Sequence, residues 1–161
     1  MEHFYRFLTR AVCCATIKAI SYRIHGGSFY MNKLHIVLYQ PEIHANTGNI
    51  SRTCAITGAD LHLIRPLGFS TDDRHLRRAG LDYWDKLNIT YYDNVEAFYE
   101  QHPDAHVFYF TTKGRHRHSD ITFQDGDFLV FGKETKGLPE ELLLKNEQTC
   151  LRVLDLKELH Q

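Results

Sequence analysis

Three stretches of this chain place residues capable of chemistry at junctions between apolar runs and helical stretches: NTGNISR (46–52), TTKGRHRHS (111–119) and FGKETKGLP (131–139). In the first, Asn46 and Thr47 stand at the start of a helix. Unpaired backbone N–H groups at a helix start favour anions. Gly48 would let a backbone come close, and Arg52, one turn in, would reach over the same end. The residues alone allow two readings, a phosphate or ribose site and a well-capped helix with a surface arginine. In the third stretch Gly132 and Gly137 bracket Lys133, Glu134 and Lys136. This reads either as a loop wrapped around a small molecule or as an ordinary strand-to-helix connection. Its spacing does not match GxGxxG, so a nicotinamide cofactor is not indicated. In the second stretch Lys113, Arg115 and Arg117, with two histidines, make a compact basic loop. With Arg74, Arg77 and Arg78 it forms either a phosphate patch or two solvated stretches that never meet. No Ser–His–Asp array is present, and Asp72–Asp73 reads as a helix start rather than a carboxylate pair.

The elements around these stretches alternate. LHIVLY (34–39), LHLIR (61–65), ITYY (89–92), HVFYFT (106–111), DFLVFG (127–132) and TCLRV (149–153) read as strands. Helices are expected at 46–58, with Asn46 or Thr47 as cap and Gly58 as stop, and at 71–80, 94–102 and 139–145. Asn94 caps the third of these and Pro139 opens the fourth. Such alternation implies an α/β fold, a parallel sheet with helices on both faces. Its ligand would sit beyond the carboxyl ends of the strands. That rule selects the loops at 40–49, 111–119 and 132–138.

A chain of 161 residues fits one domain. A net charge of −1 gives no global pull toward nucleic acid or membrane, so any basic surface must be local. Cys13, Cys14, Cys54 and Cys150 form no CxxC and read as free thiols in a reducing compartment. The eleven histidines are scattered and read as solvated loop residues, with no metal site. No apolar run is long enough for a membrane span. Residues 1–30 hold four basic residues and one acid around a short apolar middle, as a presequence does. They also read as an extension before Met31. Both readings leave 1–30 outside the fold, and the domain is expected over 31–161.

Taken together, PEIHANTGNISRTCAITGADLHLIRPLGF (41–69), DDRHLRRAGLDYW (72–84) and FGKETKGLP resemble the SPOUT superfamily of RNA methyltransferases. The similarity runs from about Leu34 to Val153. LRRAGLDYW narrows it to the small bacterial tRNA wobble-position 2′-O-methyltransferases. The resemblance implies a sheet whose C-terminal part threads a trefoil knot. It also implies S-adenosyl-L-methionine as cofactor, tRNA as substrate, a cytoplasmic homodimer and an RNA site using both subunits. By the same resemblance Arg52, Asn46 and Glu134 would be catalytic. Phe110, Gly132 and Val153 would hold the cofactor, and Arg77, Arg78, Lys113 and Arg115 would bind RNA. After Val153 the sequence LDLKELHQ departs from the family pattern. The domain is therefore expected to be truncated at its C-terminal end with the knot incomplete. The alternative function is a catalytically inactive remnant that retains at most RNA binding.

Overall fold

The computed structural model describes residues 23–25, 28–30, 32–72, 74 and 84–152. Seven strands form one parallel sheet in the order β5–β4–β3–β8–β6–β9–β7. They are β3 (His35–Tyr39), β4 (Asp60–Ile64), β5 (Ile89–Tyr92), β6 (Val107–Thr111), β7 (His116–Arg117), β8 (Phe128–Phe131) and β9 (Cys150–Arg152). Among the described residues the helices α1 (His44–Thr57), α2 (Val95–Gln101) and α3 (Glu140–Lys145) alternate with them. A separate antiparallel hairpin joins β1 (Arg23–His25) to β2 (Ser28–Tyr30). It lies in the segment read as an extension, and it pairs with no strand of the large sheet.

Side-chain alternation along the strands builds a core on each face of the sheet. Ile36, Leu38, Leu61, Leu63, Leu129 and Phe131 meet Ile50 and Cys54 of α1 on one face. Val37, Ile64, Tyr92, Tyr109 and Val130 meet Phe98 of α2 on the other, with Leu142 and Leu143 of α3 against them. The whole of β4 and β8 is buried, as expected of central strands in a covered parallel sheet. Strand β8 enters late in the chain yet lies between β3 and β6. The exits of these three strands therefore open side by side, at the place where the sheet changes its winding direction.

Most expected elements are present within a residue or two. The Asn94 side chain accepts from Ala97 N–H at 2.8 Å and caps α2. Gly58 ends α1 in the left-handed region, its N–H donating to Cys54 O. Strand β7 had no counterpart in the sequence pattern: two exposed residues align only because β9 lies beside them. The helix expected at 71–80 lies almost wholly outside the described residues, as do the end of the chain after Arg152 and with it the question of the knot.

The histidines require a correction. His62 and His118 are buried, not solvated. His62 lies on the fully buried β4, where a strand this central leaves no solvent-facing side. It sits in a chain of polar contacts inside the second core. His35 Nδ1 is 2.9 Å from His62 Nε2, His62 Nδ1 is 2.8 Å from Tyr92 OH, and Tyr92 OH is 2.7 Å from His102 Nε2. One proton per link satisfies every group, which makes burial of these polar rings tolerable. Burial pushes the His62 pKa down to about 3, and the neighbouring His35 and His102 act in the same direction.

Candidate active site

Strand β8 ends at Phe131, and the chain turns at once through Gly132. A Cβ on Gly132 would stand 2.2 Å from the carbonyl carbon of Gly137 and 2.3 Å from Leu138 N. Only glycine permits that approach. The turn is closed by Lys133 N–H donating to Gly137 O at 3.2 Å and by Gly137 N–H donating to Lys133 O at 2.9 Å. The result is a tight loop with Thr135 at its tip.

This loop forms one wall of a cleft of about 750 Å³ at the carboxyl ends of β6 and β8, beside α3. Phe110 and Phe131, stacked with centroids 4.5 Å apart, contribute to its apolar side, with Leu138 and Leu143. Lys113, Arg115 and Glu134 supply charge at its edges. Arg115 Nη2 lies 3.6 Å from Glu147 Oε2, and both residues line the cleft. The cleft thus combines an apolar floor, loop backbone and a few charged groups, at a size usual for small-molecule sites. A lining of this mixed apolar and polar character, with a glycine-closed loop along one side, can take a small organic cofactor.

Glu134 ties this loop to the NTGNISR segment. Its carboxylate is buried and accepts from Glu42 N–H at 2.8 Å, Ile43 N–H at 3.1 Å and Asn46 Nδ2 at 3.3 Å. This arrangement corrects the expected helix start. Helix α1 begins at His44, and Ile43 is its N-cap with no side-chain cap bond. Asn46 is not a cap because its amide is directed to Glu134 instead. The protein's own carboxylate sits beside the helix start, where the sequence suggested an external anion.

Arg52 is the ninth residue of α1, about 12 Å along the axis from the first at 1.5 Å per residue. It lies on the exposed side of the helix, with Ala55 and Ile56 nearby, and is not among the residues lining the cleft. The expected reach over the helix start assumed that the helix began at Asn46. Gly132, Phe110, Lys113, Arg115 and Glu134 thus line one cleft, and Asn46 is bonded to Glu134, while Arg52 stands farther along α1 on its exposed side. Arg77, Arg78 and Val153 lie outside the described residues. Glu42 and Thr135 were not singled out from the sequence, although both stand inside the segments that were.

The seven-stranded parallel sheet with its helices matches the fold of solved SPOUT methyltransferases. The chain belongs to the SpoU rRNA Methylase family, which matches residues 33–153. The tRNA (cytidine(34)-2′-O)-methyltransferase of Methylovorus glucosotrophus is 57% identical over 107 residues, which cover 66% of this chain and 70% of that one. A structure solved to explain 2-OH methylation of C/U34 on tRNA superposes with a TM-score of 0.72 at 44% identity, covering 78% of this chain and 82% of the other. An AdoMet-bound rRNA methyltransferase from Sinorhizobium meliloti shares the fold, with a TM-score of 0.65 at 21% identity, covering 76% of this chain and 48% of that one.

Proposed function

We propose that this chain methylates the 2′-hydroxyl of the wobble nucleotide in the anticodon loop of tRNA, using S-adenosyl-L-methionine, as a cytoplasmic homodimer. The observation that carries this reading is the joining of two segments by Glu134. The loop that walls the cofactor-sized cleft and the helix that bears Arg52 are held by one buried carboxylate. The tRNA substrate and the position modified are taken from what the similar proteins are named for.

In this reading Phe110 and Gly132 hold the cofactor, with Val153 as a third contact. When bound, the cofactor supplies a methyl group on a positively charged sulfur, which leaves as a neutral thioether. The ribose hydroxyl forms the new C–O bond and loses its proton. Arginine stays protonated and is no base. Arg52 therefore stabilises the developing alkoxide and fixes an RNA phosphate. A phosphate oxygen or water takes the proton. Asn46 and Glu134 hold the helix and the loop at a fixed separation, so the rate comes from alignment and preorganised charge. An anticodon loop suits such a site because its bases and riboses are splayed outward. Lys113 and Arg115, with Arg77 and Arg78, supply phosphate contacts.

The test is calorimetric titration of the folded chain with S-adenosyl-L-methionine, followed by methyl transfer to tRNA. Saturable binding is expected, with transfer by Arg52→Ala reduced at least about a hundredfold, the scale for losing an electrostatic contact to a transition state. Folded protein that binds no cofactor overturns the reading. Methyl transfer retained by both Arg52→Ala and Glu134→Ala overturns the site assignment.

A further inference from the structure

Glu42 lies where three strand exits converge. Its N–H donates to Glu134 beyond β8. Its carboxylate accepts from Thr135 N–H at 3.1 Å and from Thr135 Oγ1 at 2.9 and 3.1 Å. Its backbone is pressed against Gly68, beyond β4, where a Cβ would stand 2.6 Å from Glu42 O and 2.7 Å from Glu42 Cα. Gly68 N–H also donates to the adjacent Pro41 O at 2.9 Å. The backbone of Glu42 is therefore fixed from two sides while its side chain reaches across 93 residues of sequence to the tip of the 133–137 loop.

We propose that Glu42 is a positioning residue for methyl transfer, gripping the tip of the cofactor-cleft loop and setting its distance from the start of α1. The role rests on the proposed function above. Two glutamates cross here. Glu134 of the loop holds the backbone of the helix entrance, and Glu42 of the helix entrance holds the tip of the loop. Neither contact alone constrains the loop fully: Glu134 anchors its base, whereas Thr135 stands exposed at its far end. A carboxylate that accepts from one N–H and one O–H of the same residue fixes the tip in both position and orientation. Loss of this grip leaves the core intact and lets the cleft wall swing, raising the cost of ordering it around a ligand.

The experiment compares wild type with Glu42→Ala, Thr135→Val, the double variant and Thr135→Ser. Readouts are KM for S-adenosyl-L-methionine, kcat on tRNA, and amide hydrogen exchange of residues 133–137 without cofactor. Glu42→Ala and Thr135→Val are each expected to raise the cofactor KM about tenfold, the scale of one charge-assisted hydrogen bond, with kcat within about threefold. The double variant should be no worse than Glu42→Ala, which already removes every contact of the carboxylate with Thr135, whereas Thr135→Val removes only the hydroxyl's bonds and keeps that of the Thr135 N–H. Thr135→Ser should restore KM relative to Thr135→Val, and loop exchange should quicken in the variants that raise KM. If Glu42→Ala fails to fold, Thr135→Val still decides, because it changes only an exposed side chain at the loop tip and leaves Glu42 itself in place. An active wild type whose KM and loop exchange are unmoved in Thr135→Val overturns the role of Glu42 alone. A wild type that binds no cofactor overturns the proposed function and this role with it, whatever the exchange data show.

Discussion

The Asn46 side-chain amide donates to the Glu134 carboxylate at 3.3 Å, across 88 residues of sequence. The same carboxylate accepts two backbone N–H groups at the entrance to α1. Removing the acceptor therefore strands three donors, two of which belong to the backbone and cannot be mutated away. Removing Asn46 strands none of the other two. Glu134→Ala is expected to cost about 3 kcal/mol and Asn46→Ala about 1 kcal/mol. Urea denaturation of both variants checks the ratio. Equal costs would show that Glu134 does not hold the helix entrance.

Gly132 makes a sharper prediction because its neighbours are backbone atoms. Relief of a 2.2 Å approach to the Gly137 carbonyl carbon requires the loop itself to move. Gly132→Ala is expected to lose about 2 kcal/mol of stability, typical of inserting a methyl group into filled space. Its cofactor affinity should fall by more than about tenfold. Calorimetry of the folded variant checks this, and affinity within twofold of wild type would remove Gly132 from the cleft wall.

The buried histidine chain sets a pH dependence of stability. The folded pKa of His62 lies at about 3, below the ordinary 6.5, chiefly because of burial. His35 and His102 are also lowered, with burial the first cause in each. Asp60 faces this group and acts against the shift, while Lys33 adds to it at His35. In the unfolded chain these rings take up protons below pH 6.5, whereas in the folded chain they resist. The unfolded state therefore binds more protons, and stability falls as pH drops. The His62 contribution is complete above about pH 6.5. It declines by roughly 1.4 kcal/mol per pH unit toward pH 3. Denaturation midpoints of wild type and His62→Asn across pH 7 to 4 check this. A wild-type slope no steeper than that of the variant would show that His62 does not resist protonation in the folded protein.

Lys113 and Arg115 line the cleft and are exposed, and the proposed function gives them RNA phosphates to bind. Each phosphate contact removed should lower the salt slope of tRNA affinity by about 0.7, the counterion release expected of a single-stranded loop. Lys113→Ala is expected to show the full effect. Arg115→Ala should show less, because Glu147 lies 3.6 Å from its guanidinium. Filter binding from 50 to 300 mM salt measures both slopes, and unchanged slopes would place the tRNA elsewhere on the surface.

Much of the fold could be read along the chain because its causes are local. Phe128–Phe131 is apolar throughout, short and followed by Gly132, which reads as a strand buried on both faces. Asn94 lies beside the helix it caps, and Gly58 beside the helix it ends. Strands alternating with helices required a parallel sheet, and that requirement pointed to the carboxyl-edge loops where the cleft is found. The segments that carry the family likeness were likewise visible as contiguous residues.

What the tertiary structure decided are the relations between distant residues. Strand β7 exists only because β9 runs beside it. His62 is buried because β4 is an interior strand, and a polar residue on a buried strand looks in sequence like one facing solvent. The true start of α1 depended on a carboxylate from beyond β8, since backbone donors at a helix entrance accept whichever anion the fold delivers. Glu42 and Thr135 each stand in a recognisable segment, but hydrogen bonds reach only about 3 Å and chain separation does not encode that distance. Residue types and their order thus determined the elements and the family. Only the folded sheet, by laying three strand exits side by side, determined which of those residues touch.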